Sequence, residues 1–529
     1  MDYWQKAPVN RKQQVLIATM LDDRIPLDHP VRLLDEILAG HDWTSWEARY
    51  HGKLGQPPIH PRVLASAILY GLIRRIRSSR QLEYAINHNI DFMWLVSGRS
   101  IDHSTLCQFR TKFKKELKTL YRHVCRMAAA MGLIRLMDVA VDGTRVRARN
   151  GRHQTWNQKR IEALLEALER QWEQQIQQAE LEDATDALLL DDGEPLDRLP
   201  PELADLRERQ TRLRDLLRQA QEADQARRRE GIDPEKNPAQ IPRTDPDSRV
   251  LPNKEGGYAP NYTPVTAVEV EEGFIVSTAV LADTAEQMAV VPVLEDIHET
   301  FGEYPQGVLG DGVYATGETL VALDARDVEL FSPLPGPDIE AENPAEREDP
   351  TQPVAAGERE RLPINPQTKR FDKSAFVYDE QADRYYCPDG RPLDYEETKS
   401  EARRGQRVTR RVYRSADCSG CPLIDQCHKE GTRRGRSVSR DIHEQRRRAH
   451  ARKMATAEAK ARYAKRFHTA ELPFALIKEV LNLRRFLLRG LPKVETEWLW
   501  SCTAYNLTKL MRAVARLRAE FSKIAMASV

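Results

Sequence analysis

The sequence predicts an α/β protein: a mixed sheet with helices on both faces, a helical N-terminal domain, a helical hairpin insertion and a Cys-rich insertion. Three observations predict it. Apolar residues between 29 and 135 recur at helical spacing. Runs rich in Val, Ile and Thr alternate with helical patterns at 138–148 and 262–334. Two aspartates, Asp142 and Asp311, lie on such runs beside glycines. The expected organisation is a helical domain at 1–135, a core begun by 136–151 and 241–336, a helical hairpin at 152–240, a basic Cys-rich insertion at 337–450, and C-terminal helices at 451–529 completing the core.

A chain of 529 residues allows two to four domains. Hydrophobic residues make up 40% and charged residues 30%, so large cores coexist with a highly solvated surface. The net charge of +1 hides an uneven distribution, acidic near 181–205 and 339–349 and basic near 401–453. Local basic segments, not the overall balance, would therefore meet an anionic partner. The segment Met1 to Arg11 is polar, and no apolar run reaches spanning length, which predicts a cytoplasmic protein without a membrane partner. In that compartment the seven cysteines are expected to be reduced.

The N-terminal elements follow in order. His29 to Leu38 has helical spacing, and Pro61 opens an apolar helix through Val63, Leu64, Ile68, Leu69, Leu72 and Ile73. Ser79 is expected to cap the next helix, which carries Leu82, Tyr84 and Ile86. Asp102-His103-Ser104-Thr105 then offers caps for a helix with Leu106, Phe109, Phe113 and Leu117 on one face. Arg110, Lys112, Lys114, Lys115 and Lys118 fall mostly off that face. Short helices, a turn and a basic helix suit a helix-turn-helix with Arg110 and Lys114 towards double-stranded DNA; an amphipathic bundle with a solvated basic face is the alternative.

Asp138 to Ala148 reads as the first strand, since Val139 and Val141 favour a buried pleated surface. A carboxylate there is costly unless paired or holding a metal, although Asp142-Gly143 also fits a hairpin turn. The hairpin insertion follows. Ile161, Leu164, Leu165, Leu168, Trp172 and Ile176 and then Leu203, Leu206, Leu213 and Leu217 mark two amphipathic helices, separated by an acidic break in which Asp192 and Glu194 read as solvated.

Tyr262 to Val270 and Gly273 to Leu281 alternate as strands joined at Glu271-Glu272-Gly273. A helix at 285–300, a strand Val308 to Gly310 ending in Asp311, a helix at 318–325 and a strand at 328–334 complete an order that suits an RNase H-like fold. In that arrangement the strands of Asp142 and Asp311 are neighbours. Two close carboxylates repel unless a cation joins them, and Mg²⁺ favours such oxygen ligands. Asp245 and Asp247, around Pro246, compete for the role but read as turn residues.

Cys387, Cys418, Cys421 and Cys427 fall among turn-forming residues, two of them as Cys-x-x-Cys. Four thiolates suit a structural Zn²⁺ site, with His428 able to replace one; a reduced, metal-free loop is the alternative. Cys107, Cys125 and Cys502 fit helical cores. Arg403, Arg404, Arg407, Arg410, Arg411 and Arg414 before the cluster, and Arg433, Arg434, Arg436 and Arg440 after it, suggest phosphate contacts near Tyr386 and Tyr413 or solvated loop charge. The acidic, Pro-rich stretch 337–364 reads as a surface linker.

Near the C-terminus, Pro473 suits the first turn of a helix and places Glu471 at its start, with Lys478 seven residues on and on the same face. Either the pair serves a metal and a phosphate, or it is an ion-paired surface helix. Here the residues Val-Asp142-Gly-Thr, Gly-Asp311-Gly, and Tyr463, Arg466, Glu471 and Lys478 together resemble a DDE transposase of a bacterial insertion sequence, of the Tyr-Arg-Glu-Lys signature group. Two departures stand out: four residues separate Arg466 from Glu471 instead of the commoner three, and Gly-Asp311-Gly-Val-Tyr replaces the usual Asp-x-Gly-Tyr order.

The resemblance implies that Asp142, Asp311 and Glu471 bind two Mg²⁺ ions, which Mn²⁺ can replace, for phosphoryl transfer. It implies that Arg466 and Lys478 position terminal DNA and that Tyr463 contacts a displaced base. It also implies a homodimer on DNA, acting on terminal inverted repeats and target DNA, in a nucleoid-associated bacterial setting. The alternatives are a zinc-stabilised DNA-binding protein without catalysis and an RNase H-like nuclease that cuts without joining.

Overall fold

The computed structural model of the chain describes residues 20–50, 57–151, 154–186, 201–229, 231–253, 256–282, 285–334, 343–403, 406–428 and 434–527. The expectations for Met1 to Arg11, Asp192, Glu194, Arg404 and Arg433 fall outside these residues. The chain forms two compact units, one helical (Met1–Ile134, Pro473–Arg484 and Glu495–Val529) and one α/β (Arg135–Leu472 and Arg485–Val494). The reading of 451–529 as core helices thus differs from the structure, which assigns most of 473–529 to the helical unit.

The helical unit is built from Pro30–Ala39, Thr44–Glu47, Pro61–Ile73, Ser79–His88, Ile90–Leu95, His103–Lys112 and Lys114–Ala130. Pro30 and Pro61 open their helices, and the rings of His29 and His60 accept from Val31 N and Arg62 N, which occupies donors left free at a helix start. Ser79 is the first helical residue and not the cap, because Ser78 holds the extended conformation before it. Asp102 caps as expected, its carboxylate accepting from Thr105 N at 2.9 Å. The core is aromatic. Trp46 stacks on Phe109 and Phe113 at 5.6 and 5.2 Å and meets Trp500 at 6.5 Å. The Trp500 indole N–H donates to Arg110 O at 3.0 Å. These large buried rings explain why the C-terminal helix clusters with residues some 400 positions earlier: aromatic burial contributes more than chain proximity.

In the α/β unit, β1 (Asp138–Gly143) lies at the centre of a sheet with β2 (Tyr258–Glu269), β3 (Ile275–Leu281), β4 (Gly307–Leu309) and β5 (Glu329–Phe331). The order is β3-β2-β1-β4-β5. β2 is antiparallel to β1 and β3, while β4 is parallel to β1 and β5. Val139, Ala140 and Val141 are all fully buried. Successive strand residues face opposite ways, so both faces of β1 are covered. The β2–β3 hairpin turns at Glu271-Glu272-Gly273, where Glu269 accepts from the backbone of Glu271 and Glu272. The helix Val290–Phe301 ends at Gly302, whose φ of +84° needs a residue without a side chain.

The insertion after β1 is an antiparallel pair, Gln158–Asp186 and Pro201–Arg229. Ile161 and Leu165 pack with Leu216 and Ala220, and Glu169 meets Gln210 and Arg214. The Cys-rich insertion is more ordered than a loop. It carries a second antiparallel sheet of β6 (Val377–Asp379), β7 (Arg384–Tyr386), β8 (Pro392–Arg403), β9 (Gln406–Arg414) and β10 (Ser437–Arg440), paired in sequence order. Phe371, Phe376, Tyr385, Leu393 and Tyr413 form its core. The helix Glu444–Ala455 runs through the expected boundary at 450 and returns to the main sheet, where His450 Nε2 lies 2.8 Å from Ser332 O. No described helix is long and apolar enough to cross a membrane.

Candidate active site

The site begins with the parity of β1. Asp138, Ala140 and Asp142 share one face. Ala140 is buried there with Leu309 of β4, Phe331 of β5, and Ala459 and Ala470 from the returning helices. Two arginines from those helices reach the acids on either side of Ala140. Arg462 pairs with Asp138 at 2.6 Å and stacks over Phe331 at 4.2 Å. Arg466 pairs with Asp142 at 3.1 Å. Asp142 is only 7% exposed and also accepts from Gly143 N at 2.9 Å. Arg466 Nε is buried without a hydrogen-bond partner. A buried carboxylate is thus neutralised by a guanidinium, as burial of charge requires.

Asp311 follows β4 directly. The β1–β4 register pairs Val139 with Val308 and Ala140 with Leu309; β4 ends there, two residues before Asp311, while β1 runs on through Asp142. Asp311 is partly exposed, its Oδ1 accepting from Val313 N at 3.1 Å and its carbonyl accepting from the Ser332 hydroxyl at 2.5 Å. Tyr314 lies fully buried beside it with no partner for its hydroxyl. Burial pushes that phenol upward, and the charges of Glu286, Asp142 and Asp311 push it further against the opposing effect of Arg466. Four charged groups therefore surround one ring.

Glu286 escaped the sequence reading. Its carboxylate pairs with Arg145 at 2.8 Å, and a Cβ on Gly143 would stand 2.4 Å from Glu286 Oε2. Gly143 lies within β1 and not in a hairpin turn, and a side chain there would require the Glu286 carboxylate to shift. No motif marks Glu286, which is recruited only by the path of the chain after β3.

Glu471 is exposed immediately before the helix Leu472–Glu479, while its neighbour Ala470 is buried with Ala140 and Leu309. Among the described residues, no group of three or more His, Cys, Asp or Glu could hold a metal ion. The fold therefore brings Asp142 on β1 and Asp311 just past β4 to neighbouring positions in the sheet without closing Glu471 onto them. Asp142 and Asp311 both act on the buried Tyr314 ring, and Asp142 is already compensated by Arg466.

Other expected residues fall in varied places. Tyr463 packs into the Ala140–Leu309 cluster, edge-on at 6.4 Å to Phe467, which is 68% exposed. Lys478 is partly buried and belongs to the helical unit. Arg110 is a correction. It is 7% exposed and donates to Arg77 O at 2.6 Å within the helical unit, so it does not lie on an open basic face. Lys114 pairs with Glu495. Asp245 and Asp247 are structural: Asp245 accepts from Tyr262 OH and Gly490 N at 2.7 and 2.9 Å, and Asp247 accepts from Leu491 N at 2.8 Å.

The four cysteines of the insertion are free; Cys427, Cys387 and Cys421 belong to its core, Cys418 does not, and the four do not form a group that could hold a metal as they stand. Burial pushes the Cys427 thiol up to about 12, with the neighbouring Cys387, Cys418 and Cys421 adding to the rise. Cys387 and Cys421 are raised by burial as well. His428 Nε2 is buried without a partner. The surrounding arginines are largely compensated within the sheet: Arg411 by Asp383, Arg414 by Glu396 and Arg384 by Asp394, while Arg440 lies 3.6 Å over Tyr378. For Arg403 and Arg407 only the backbone is described.

Two segments match known families. Residues 386–511 match the family described as Transposase DDE domain, and residues 19–112 match the one described as Transposase domain (DUF772). The first contains Tyr463, Arg466, Glu471 and Lys478; Asp142 and Asp311 lie outside both. The two matches bear out the resemblance to a DDE transposase of an insertion sequence, and the DDE domain implies an enzyme of the polynucleotidyl transferase or nuclease kind. No curated protein matches the chain.

Proposed function

We propose that the protein is a DNA transposase that binds the inverted-repeat ends of its element and cuts and joins DNA by phosphoryl transfer, with Asp142, Asp311 and Glu471 as its acids. The observation that carries the proposal is the placement of Asp142 on β1 and of Asp311 two residues beyond the end of its parallel neighbour β4, in a sheet of order β3-β2-β1-β4-β5, within a chain that matches two transposase families. That order, with one antiparallel hairpin and two parallel crossovers, supports an RNase H-like core.

When bound to the three acids, two Mg²⁺ ions would activate the attacking oxygen and stabilise the leaving 3′ oxygen. The chain itself supplies the rest. β1 holds Asp142 and the end of β4 leads into Asp311, and the buried Ala140–Leu309–Ala470 cluster excludes water beneath that end of the sheet. Arg466 stands beside Asp142 with a guanidinium suited to a phosphate oxygen. Asp142→Asn, Asp311→Asn and Glu471→Gln are each expected to abolish Mg²⁺-dependent cleavage of a duplex bearing the element's ends while leaving DNA retention in a gel-shift assay intact. Cleavage surviving in all three variants would remove the assignment. Joining of pre-cut ends to a target plasmid separates a transposase from a nuclease.

We further infer that Cys387, Cys418, Cys421 and Cys427 hold a structural Zn²⁺, supported by the packing of three of them in one core and the influence of Cys387, Cys418 and Cys421 on the Cys427 thiol.

A further inference from the structure

We propose that Arg466 holds the place of a metal ion on Asp142, so that cation loading at this site requires the guanidinium to leave first. The proposal rests on the reading of Asp142 and Asp311 as metal ligands and names how that site is regulated.

Asp142 is 7% exposed, and its Oδ1 faces Arg466 at 3.1 Å. The Arg466 side chain is itself only 13% exposed, and its Nε is buried with no acceptor. An arginine stored with an unsatisfied donor has given up hydration that it could regain elsewhere. Its neighbour Arg462 makes a contrast: two carboxylates, Asp138 and Glu329, and the Phe331 ring hold it. Arg462 is fixed, whereas Arg466 has a reason to move.

The rest of the surroundings agree. Glu286 is compensated by Arg145, and Arg466 is a cation placed directly on Asp142. A guanidinium and a divalent ion placed on the same carboxylate oxygen repel each other at close range and compete for it. Nor do three acids converge here while Arg466 occupies the position. A DNA phosphate offers the guanidinium a bidentate partner of the same charge sign as Asp142. Binding of the substrate backbone would therefore draw Arg466 away and vacate Asp142. The device would suppress metal loading, and with it hydrolysis, until DNA is seated.

The test measures Mn²⁺ binding by electron paramagnetic resonance on the full chain, counting only binding that Asp142→Asn removes. Arg466→Met should tighten that binding by about tenfold in the absence of DNA, whereas Arg466→Lys should leave it near wild type. Because Arg466→Met leaves a buried carboxylate uncompensated, wild-type protein provides a second measurement. A short duplex should tighten Asp142-dependent Mn²⁺ binding to wild type by a similar factor and should add little to Arg466→Met. Equal Mn²⁺ affinity in wild type and Arg466→Met, or no effect of duplex on wild type, would overturn the proposal. Failure of the underlying reading has a different signature: Mn²⁺ binding in every form would be indifferent to Asp142→Asn and Asp311→Asn.

Discussion

At the residue scale, the protein places charge inside only where a partner meets it, and the exceptions are informative. Gly143 illustrates a residue whose identity is set by a neighbour. A Cβ there would push the Glu286 carboxylate off Arg145, so Gly143→Ala is expected to lower stability by about 1 kcal/mol, read as a fall in melting temperature. Adding Glu286→Ala should restore part of it; an unchanged melting temperature in the single variant would contradict the account. His41 is a second case. Burial, with help from His123, lowers its pKa to about 4. The folded state thus prefers the neutral ring, so its contribution is complete above the ordinary value near 6.5 and is lost as pH falls from there towards 4. The melting temperature of the chain should drop across that window, and His41→Gln should flatten the drop.

At the element scale, legibility followed periodicity. The strand at Asp142, the hairpin at Glu271-Glu272-Gly273 and the strand before Asp311 were readable because buried Val, Ile and Ala stand beside strong turn residues. β8 and β9 were not. Pro392–Arg403 and Gln406–Arg414 are dominated by polar and charged residues, and a two-strand extension offers little apolar alternation. The arginines there read as a phosphate stripe in sequence, yet Asp383, Glu396 and Asp394 answer several of them across the sheet. Arg110 misled for the same reason: charge along a helix says nothing of which face a distant Trp500 will cover. The cysteine element carries its own prediction. Its raised thiols keep their protons in the folded, metal-free state, so that state should lose stability as pH rises from the ordinary thiol range near 8.5 towards about 12. Zinc replaces those protons, so one zinc per chain should be found, and chelation should make the melting temperature fall with rising pH. Less than one zinc per several chains would sink the site.

At the scale of the whole molecule, the proposed function depends on acids that the sequence scatters, of which the fold draws Asp142 and Asp311 towards one end of two neighbouring strands and leaves Glu471 apart. Asp142 and Asp311 were legible as partners, because strand order alone makes β1 and β4 neighbours. Glu471 was legible only through the resemblance; its exposed position beside the buried Ala470 shows that its place is set by the returning helices and not by the sheet. Glu286 and the Arg466–Asp142 pair were not legible, since each joins residues more than a hundred positions apart with no motif. The DDE match begins at residue 386, well after both aspartates, so the complete site rests on the geometry of β1 and β4. The most direct test of the account is Mg²⁺-dependent cleavage of an end-containing duplex, with products mapped on each strand. The account predicts cuts at the element's ends that vanish in Asp142→Asn and Asp311→Asn; cuts at the same positions in both variants would contradict it.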